Sequence, residues 1–162
     1  AEDILSCINH VDNELKIKNS DYYLVGLSIG GASSIYAAAH DKRIKKVVAV
    51  GAFANPGVVM RKQLSDRHIP YFPLVWFLFK YVEFSQKIKL NEIAPENHIA
   101  KAEAKFLLIH GKQDQTVPVD QAYRLKKEAG EKAELWTIPD RGHSDCHLET
   151  GFWEKLDQFF QA

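Results

Sequence analysis

Asp21-Tyr22-Tyr23-Leu24-Val25 runs into Gly26-Leu27-Ser28-Ile29-Gly30-Gly31, and Ala32-Ser33-Ser34-Ile35-Tyr36-Ala37-Ala38-Ala39-His40 follows. The first flank is short, aromatic and β-branched and reads as a buried strand; the second is rich in alanine and reads as a helix. A Gly-x-Ser-x-Gly between a strand and a helix is a nucleophile elbow, a turn so sharp that the serine hydroxyl is pushed into solvent. Gly26 and Gly30 are expected to be required because a Cβ there would strike the neighbouring backbone, and Gly31 to let the helix lie close to the sheet. The same pentapeptide occurs by chance in loops, so Ser28 gains meaning only if the chain also supplies a base and an acid.

Working outward, residues 1–19 place Ile4, Ile8, Val11 and Leu15 at helical spacing, an amphipathic helix that Asn19-Ser20-Asp21 breaks. Downstream of the elbow helix, Lys45-Lys46-Val47-Val48-Ala49-Val50-Gly51 is a nearly all-apolar strand, as expected when both sheet faces are covered. The order is α-β-α-β, the rhythm of a parallel sheet. It returns at Ala104-Lys105-Phe106-Leu107-Leu108-Ile109-His110-Gly111, then a loop, then a helix opened by Val117-Pro118 and stopped by Gly130. Ala133-Glu134-Leu135-Trp136-Thr137-Ile138 is a fourth strand, and a last helix is expected to turn Leu148, Phe152, Leu156 and Phe159 inward. The chain therefore reads as one three-layer α/β/α domain over residues 1–162, interrupted at about residues 52–100.

That interruption holds the turn Asn55-Pro56-Gly57, a short helix near residues 58–67 and an aromatic stretch at 74–84 with Trp76, Phe77, Phe79, Tyr81 and Phe84. The stretch is too short to span a bilayer. It reads both as a helix packed over the core and as a cap whose Trp76 and Phe77 line an apolar acyl pocket.

Composition excludes several functions. Hydrophobic residues make up 46% and charged residues 26% of 162, an ordinary globular mixture. Twenty-one basic residues balance 21 acidic ones, which gives no electrostatic case for a nucleic-acid or anionic-membrane partner. Two cysteines, Cys7 and Cys146, make no disulfide framework, so a reducing, cytoplasmic setting is the expectation. No membrane span and no signal peptide is visible, although the chain begins at Ala1, already inside a helical pattern.

A serine hydroxyl of normal acidity is a poor nucleophile; it needs an imidazole to take its proton and a carboxylate to hold that imidazole in the right tautomer. Among seven histidines, His143 follows the last strand on a loop and meets that demand, whereas His10 and His40 lie on helices, His68 and His98 in the interruption, and His110 at a strand end. Asp114, in the loop after the third strand, is the acid; it also suits a turn or helix-capping role. Asp140 and Asp145 are near His143 only along the chain, which is no advantage when the acid must approach from a neighbouring strand end. The order Ser28, Asp114, His143 is the one that accompanies a Gly-x-Ser-x-Gly elbow. His143-Ser144-Asp145-Cys146-His147 also resembles a metal cluster, but no second ligand pair stands at suitable spacing. Ser144 or Asp145 as cap of the last helix, with Cys146 packed, is the simpler account, and no metal or cofactor is expected.

The elbow, His110-Gly111-Lys112-Gln113-Asp114-Gln115-Thr116-Val117-Pro118 and Gly142-His143 together resemble the α/β-hydrolase superfamily, in particular its esterase, lipase and serine-aminopeptidase-like members. The resemblance covers essentially the whole chain and implies Ser28 as nucleophile, Asp114 as acid, His143 as base and the backbone N–H of Ile29 as one oxyanion-hole donor. It puts residues 52–100 where that superfamily carries a variable cap. It also implies that the four strands are the fifth to eighth of an eight-stranded sheet, with the first four and the loop bearing the second oxyanion donor absent. The strand at residues 22–25 is then an open edge, expected to self-associate or to pair with an amino-terminal segment.

Two functions follow. One is a serine hydrolase cleaving a carboxylic ester, thioester or small amide with an apolar group through an acyl-enzyme. The other is a non-catalytic module that keeps the fold for binding or self-association.

Overall fold

The computed structural model describes residues 2–14, 21–87 and 89–162. Four strands, β1 (Tyr22–Leu27), β2 (Ile44–Val50), β3 (Lys105–Gly111) and β4 (Ala133–Ile138), form one sheet in the order β1-β2-β3-β4. All three pairings are parallel, with Leu27 opposite Val50 and Val50 opposite Ile109. Parallel strands put every carboxyl end on one side of the sheet, and the loops that leave those ends are where a site is built.

Helices cover both faces. α1 (Glu2–Glu14), α2 (Ile29–Ala38) and α5 (Asp120–Ala129) share one core with the sheet, through Ile8, Ile35, Leu125 and Ala129 against Val47, Ala49, Phe106 and Leu108. α6 (Phe152–Gln161) covers the other face, with Phe152 and Leu156 against Val48, Val50, Leu107 and Ile109. Both cores lie on β2 and β3, which explains the continuous apolar runs of these strands. α1 is tied to the start of β2 by Arg43, whose guanidinium lies 2.5 Å from Asp12 and 2.8 Å from Asn9. The expected first helix agrees over Glu2–Glu14, while Leu15 and residues 16–19 lie outside the described residues.

β1 is the exception to full coverage. Tyr23, Val25 and Leu27 alternate onto the α6 face, and Val25 is 57% exposed. Tyr23 stacks there on Phe160 at 5.5 Å. β1 pairs with β2 alone, so its far edge is also free among the described residues.

Between β2 and β3 lie α3 (Pro56–Asp66) and α4 (Trp76–Gln86), the first capped by Asn55, whose side chain accepts from the N–H groups of Gly57 and Val58. Three expected details are corrected. α5 begins at Asp120, two residues after Pro118, because Pro118 and Val119 carbonyls first accept the N–H groups of Gln121 and Ala122 in a tighter turn. Leu148 lies in a short turn ahead of α6 and is 60% exposed, not inward. α6 itself starts after Gly151, so neither Ser144 nor Asp145 caps it.

Candidate active site

Ser28 stands between β1 and α2 with φ +53° and ψ −116°, a conformation that a residue with a side chain adopts at a cost of about 1–3 kcal/mol. The turn is locked by the Ser28 N–H donating to Val50 O at 2.8 Å and by Ser34 Oγ donating to Gly30 O at 2.8 Å. Close approach, not conformation, dictates the glycines. A Cβ on Gly26 would stand 2.4 Å from the Gly30 carbonyl carbon, and one on Gly31 would stand 2.9 Å from Gly26 O. Gly30 corrects the expectation from sequence: nothing lies within 4 Å of a Cβ placed there. The elbow presses Gly26 against the backbone at Gly30–Gly31 while the Gly30 α-carbon itself faces open space.

The buried acid is Asp114. Its Oδ1 accepts the N–H groups of Thr116 and Val117, both at 2.8 Å, which folds the loop after β3 around the carboxylate. Its Oδ2 accepts from His143 Nδ1 at 2.7 Å, and the Asp114 side chain is fully buried while that of His143 is 19% exposed. Burial works against ionisation, but hydrogen bonds from His110, the Val117 N–H and His143 outweigh it and hold the carboxyl below the usual aspartate range. An ionised Asp114 fixes the proton of His143 on Nδ1 and leaves Nε2 as the basic nitrogen.

His143 reaches this position from the loop after β4. That loop is pinned by Asp145 Oδ1, which accepts the Gly142 N–H at 2.6 Å, and by the Gln113 N–H donating to Arg141 O at 2.9 Å. The imidazole lies over Gly51, the residue that follows β2. Since β2 separates β1 from β3, His143 sits between the strand end bearing Ser28 and the loop bearing Asp114. His143 is hydrogen-bonded to Asp114; no hydrogen bond joins it to Ser28 Oγ among the described residues.

Three contributors were not singled out as site residues in the sequence. His110 is fully buried, and its Nε2 lies 2.8 Å from Val117 O and 3.3 Å from Asp114 Oδ2, so the Nε2–H chiefly clamps the acid loop through the carbonyl. Gly51 makes room for the imidazole, and Asp145 shapes its turn. A strand-terminal histidine four residues before an aspartate, and a glycine closing an apolar strand, are the sequence signals that point to the first two. Cys146, two residues beyond Ser144, donates to Gly142 O at 3.6 Å, and burial first pushes its thiol up to about 11, so it stands as a protonated thiol at neutral pH. Among the described residues, no group of three or more His, Cys, Asp or Glu side chains stands ready to hold a metal ion.

Ile29 follows Ser28 as the first residue of α2, where a backbone N–H has no acceptor within the helix. A cavity of about 620 Å³ adjoins it, walled mainly by Ala32, Tyr36, Phe53, Leu90 and Ile93, with Glu2 and Asp3 at its rim. Trp76 lines a separate cavity with Tyr71 and Phe79, and Phe77 is exposed; neither borders the space beside Ile29.

Residues 1–160 match the prolyl oligopeptidase family. Among curated relatives, a putative hydrolase of Bacillus subtilis (strain 168), YtaP, is 26% identical over 145 residues, which are 90% of this chain and 43% of that one. Among solved structures, acetyl xylan esterase 1 from Thermoanaerobacterium sp. JW/SL YS485 aligns with a TM-score of 0.73 at 24% identity, over 97% of this chain and 50% of the other. The acylaminoacyl peptidase of Pyrococcus horikoshii aligns with a TM-score of 0.72 at 16% identity, over 99% and 27%. At these identities the structural likeness is one of fold, and the chain spans less than half the length of the curated relatives it matches. With a parallel sheet, an elbow serine and a buried aspartate–histidine pair at its carboxyl edge, the chain belongs to the prolyl oligopeptidase family, within the α/β-hydrolase superfamily of serine hydrolases.

Proposed function

We propose that this chain carries the reacting residues of a serine hydrolase that cleaves a carboxylic ester, thioester or small amide through an acyl-enzyme. The observation that carries the reading is the 2.7 Å hydrogen bond between His143 Nδ1 and the buried carboxylate of Asp114, beside a strained serine turn. Ser28 Oγ attacks the carbonyl carbon while His143 Nε2 takes its proton; the imidazolium then gives that proton to the leaving group, and water repeats the sequence in reverse. Asp114 stays ionised and holds the ring. The Ile29 N–H donates to the oxyanion, a contact of the kind whose loss costs about 10²–10³ in turnover.

The substrate's apolar group, expected from sequence against Trp76 and Phe77, is assigned in this reading to the cavity beside Ile29. Its volume of about 620 Å³ and its Ile29, Tyr36, Phe53 and Ile93 walls suit a medium-sized acyl or alkyl group. Both cysteines are free, in keeping with a reducing, cytoplasmic setting, and no described helix is long and apolar enough to cross a membrane.

A second reading, that the chain acts chiefly by pairing, is favoured by the uncovered β1. Its free edge and exposed Val25 and Leu27 suit either a second copy or a preceding segment of a longer polypeptide. Residues 52–100 act in either case as a cap on the single α/β domain. Labelling with a fluorophosphonate probe separates the two readings. The hydrolase reading expects labelling of the wild type that Ser28→Ala abolishes; an unlabelled wild type, or undiminished labelling of the variant, overturns it.

A further inference from the structure

Gly142 immediately precedes His143, and glycine leaves the backbone freer at that point than any other residue would. Packing does not restrain it: a Cβ placed on Gly142 would meet nothing nearer than Asp145 Oδ1 at 3.5 Å. The direction of the imidazole therefore depends on how the loop is held to either side. Before Gly142 the hold is made by backbone. The Arg141 carbonyl accepts the Gln113 N–H at 2.9 Å, and it lies so near the end of β3 that a Cβ on Gly111 would stand 2.2 Å from its oxygen. Beyond His143 the hold is made by the Arg141 side chain. Its guanidinium crosses to the turn ahead of α6, where Nε donates to Glu149 Oε2 at 3.0 Å and Nη2 donates to Leu148 O at 2.9 Å. Glu149 O in turn accepts the N–H of Phe152, the first residue of α6, at 3.1 Å. One side chain thus closes residues 141–149 into a ring that contains His143 and is anchored on a helix packed against the sheet.

We propose that Arg141 is a positioning residue for His143: its side chain ties the loop after β4 to the start of α6 and keeps the imidazole aimed between Asp114 and the Ser28 turn. The catalytic value of that aim rests on the hydrolase reading above; the hold on the His143–Asp114 hydrogen bond does not. An exposed ion pair is worth little, because solvent screens it and two long side chains lose freedom in forming it. This one differs on both counts. The Arg141 and Glu149 side chains are only 28% and 32% exposed, and the planar guanidinium meets two acceptors at once, so the second bond costs little further freedom. Arg141 also touches the acid loop through its carbonyl. It therefore couples the base to the loop of Asp114 on one side and to α6 on the other. Rates depend on sub-ångström alignment, so losing the clasp is expected to harm reaction more than folding.

The test follows the proton on His143 Nδ1 in the whole 162-residue chain by NMR, beside thermal melts and fluorophosphonate labelling. A proton held by Asp114 Oδ2 at 2.7 Å gives a strongly deshielded resonance, which His143→Gln should remove and so assign. Arg141→Ala should speed solvent exchange of that proton about tenfold or more and slow labelling about tenfold or more. Arg141→Lys, which keeps the charge and can still donate, should recover part of both losses. Glu149→Ala, which leaves the guanidinium only Leu148 O, should act in the same direction to a smaller extent. Lys155→Ala removes an ion pair between α6 and Glu134 outside the ring and should leave exchange and labelling at wild-type rates. Wild-type exchange in Arg141→Ala, or an equal change in Lys155→Ala, overturns the proposal. If Arg141→Ala fails to fold, wild-type exchange in Glu149→Ala overturns it. Faster exchange in Arg141→Ala supports it whether or not the wild type labels; an unlabelled wild type counts against the hydrolase reading alone.

Discussion

Gly51 and His143 are packed so closely that a Cβ on Gly51 would stand 3.3 Å from the imidazole Nδ1, the nitrogen that donates to Asp114. Gly51 also has φ +57°, which an alanine adopts at a cost of about 1–2 kcal/mol. Gly51→Ala should therefore fold with a loss of about 1 kcal/mol in denaturant unfolding and lower the rate of fluorophosphonate labelling about tenfold or more, because an imidazole displaced by a fraction of an ångström loses its alignment. A variant that loses stability but labels at the wild-type rate would show that the contact does not hold the base.

The elbow glycines should separate sharply. Gly26→Ala meets backbone at 2.4 Å and is expected to yield no folded protein. Gly30→Ala meets nothing within 4 Å, and alanine within α2 should leave stability unchanged or raise it by up to about 1 kcal/mol. Thermal melts of the two variants decide the point.

Asp114 sets a pH dependence whose sign follows from its lowered acidity constant. A carboxyl held below its unfolded value adds stability above that value, about 3.9, and loses it as pH falls through the lower folded value. Wild type should exceed Asp114→Asn in unfolding free energy at pH 7, and the margin should shrink below pH ~4. Labelling of Asp114→Asn should fall about 10³-fold or more, since an amide favours the wrong imidazole tautomer.

His110→Leu removes the Nε2–H that satisfies Val117 O inside the protein and should cost about 1–3 kcal/mol. His110→Gln, whose amide nitrogen extends about as far as Nε2, should recover part of that loss. Equal instability of the two variants in urea would show that shape, not the donated hydrogen bond, matters at this position.

The β1 edge should be sensitive to one charge. Wild type is expected to elute from size exclusion as a concentration-dependent oligomer, and Val25→Lys to shift it to monomer, because a lysine on an exposed edge strand opposes strand addition. A wild type that light scattering finds monomeric and stable to dilution would remove the case for association through β1.

Much of the fold was legible locally. The strands at 22–27, 44–50, 105–111 and 133–138 and the helices after them follow from apolar runs, alanine content and glycine stops, signals that act over a few residues. The pairing of Asp114 with His143 was also legible, through motif and chain order, and the structure brings the two together. Asp145 was misread as a helix cap because a carboxylate near a helix start has the same sequence appearance whether it caps that helix or, as here, holds the Gly142 N–H one turn earlier. Gly30 was misread because a pentapeptide pattern does not say which α-carbon faces the opposing backbone.

The sequence by itself determined the element order, the α/β class and the chemistry available at Ser28, Asp114 and His143, since helix period, strand period and side-chain type are local properties. Only the tertiary structure decided that His143 lies over Gly51, that His110 clamps the acid loop, that Phe77 of α4 faces outward and that Val25 stands uncovered. Each of these depends on which surfaces meet when four parallel strands align their carboxyl ends, and contacts between residues as far apart as Gly51 and His143 leave no periodic trace in the chain.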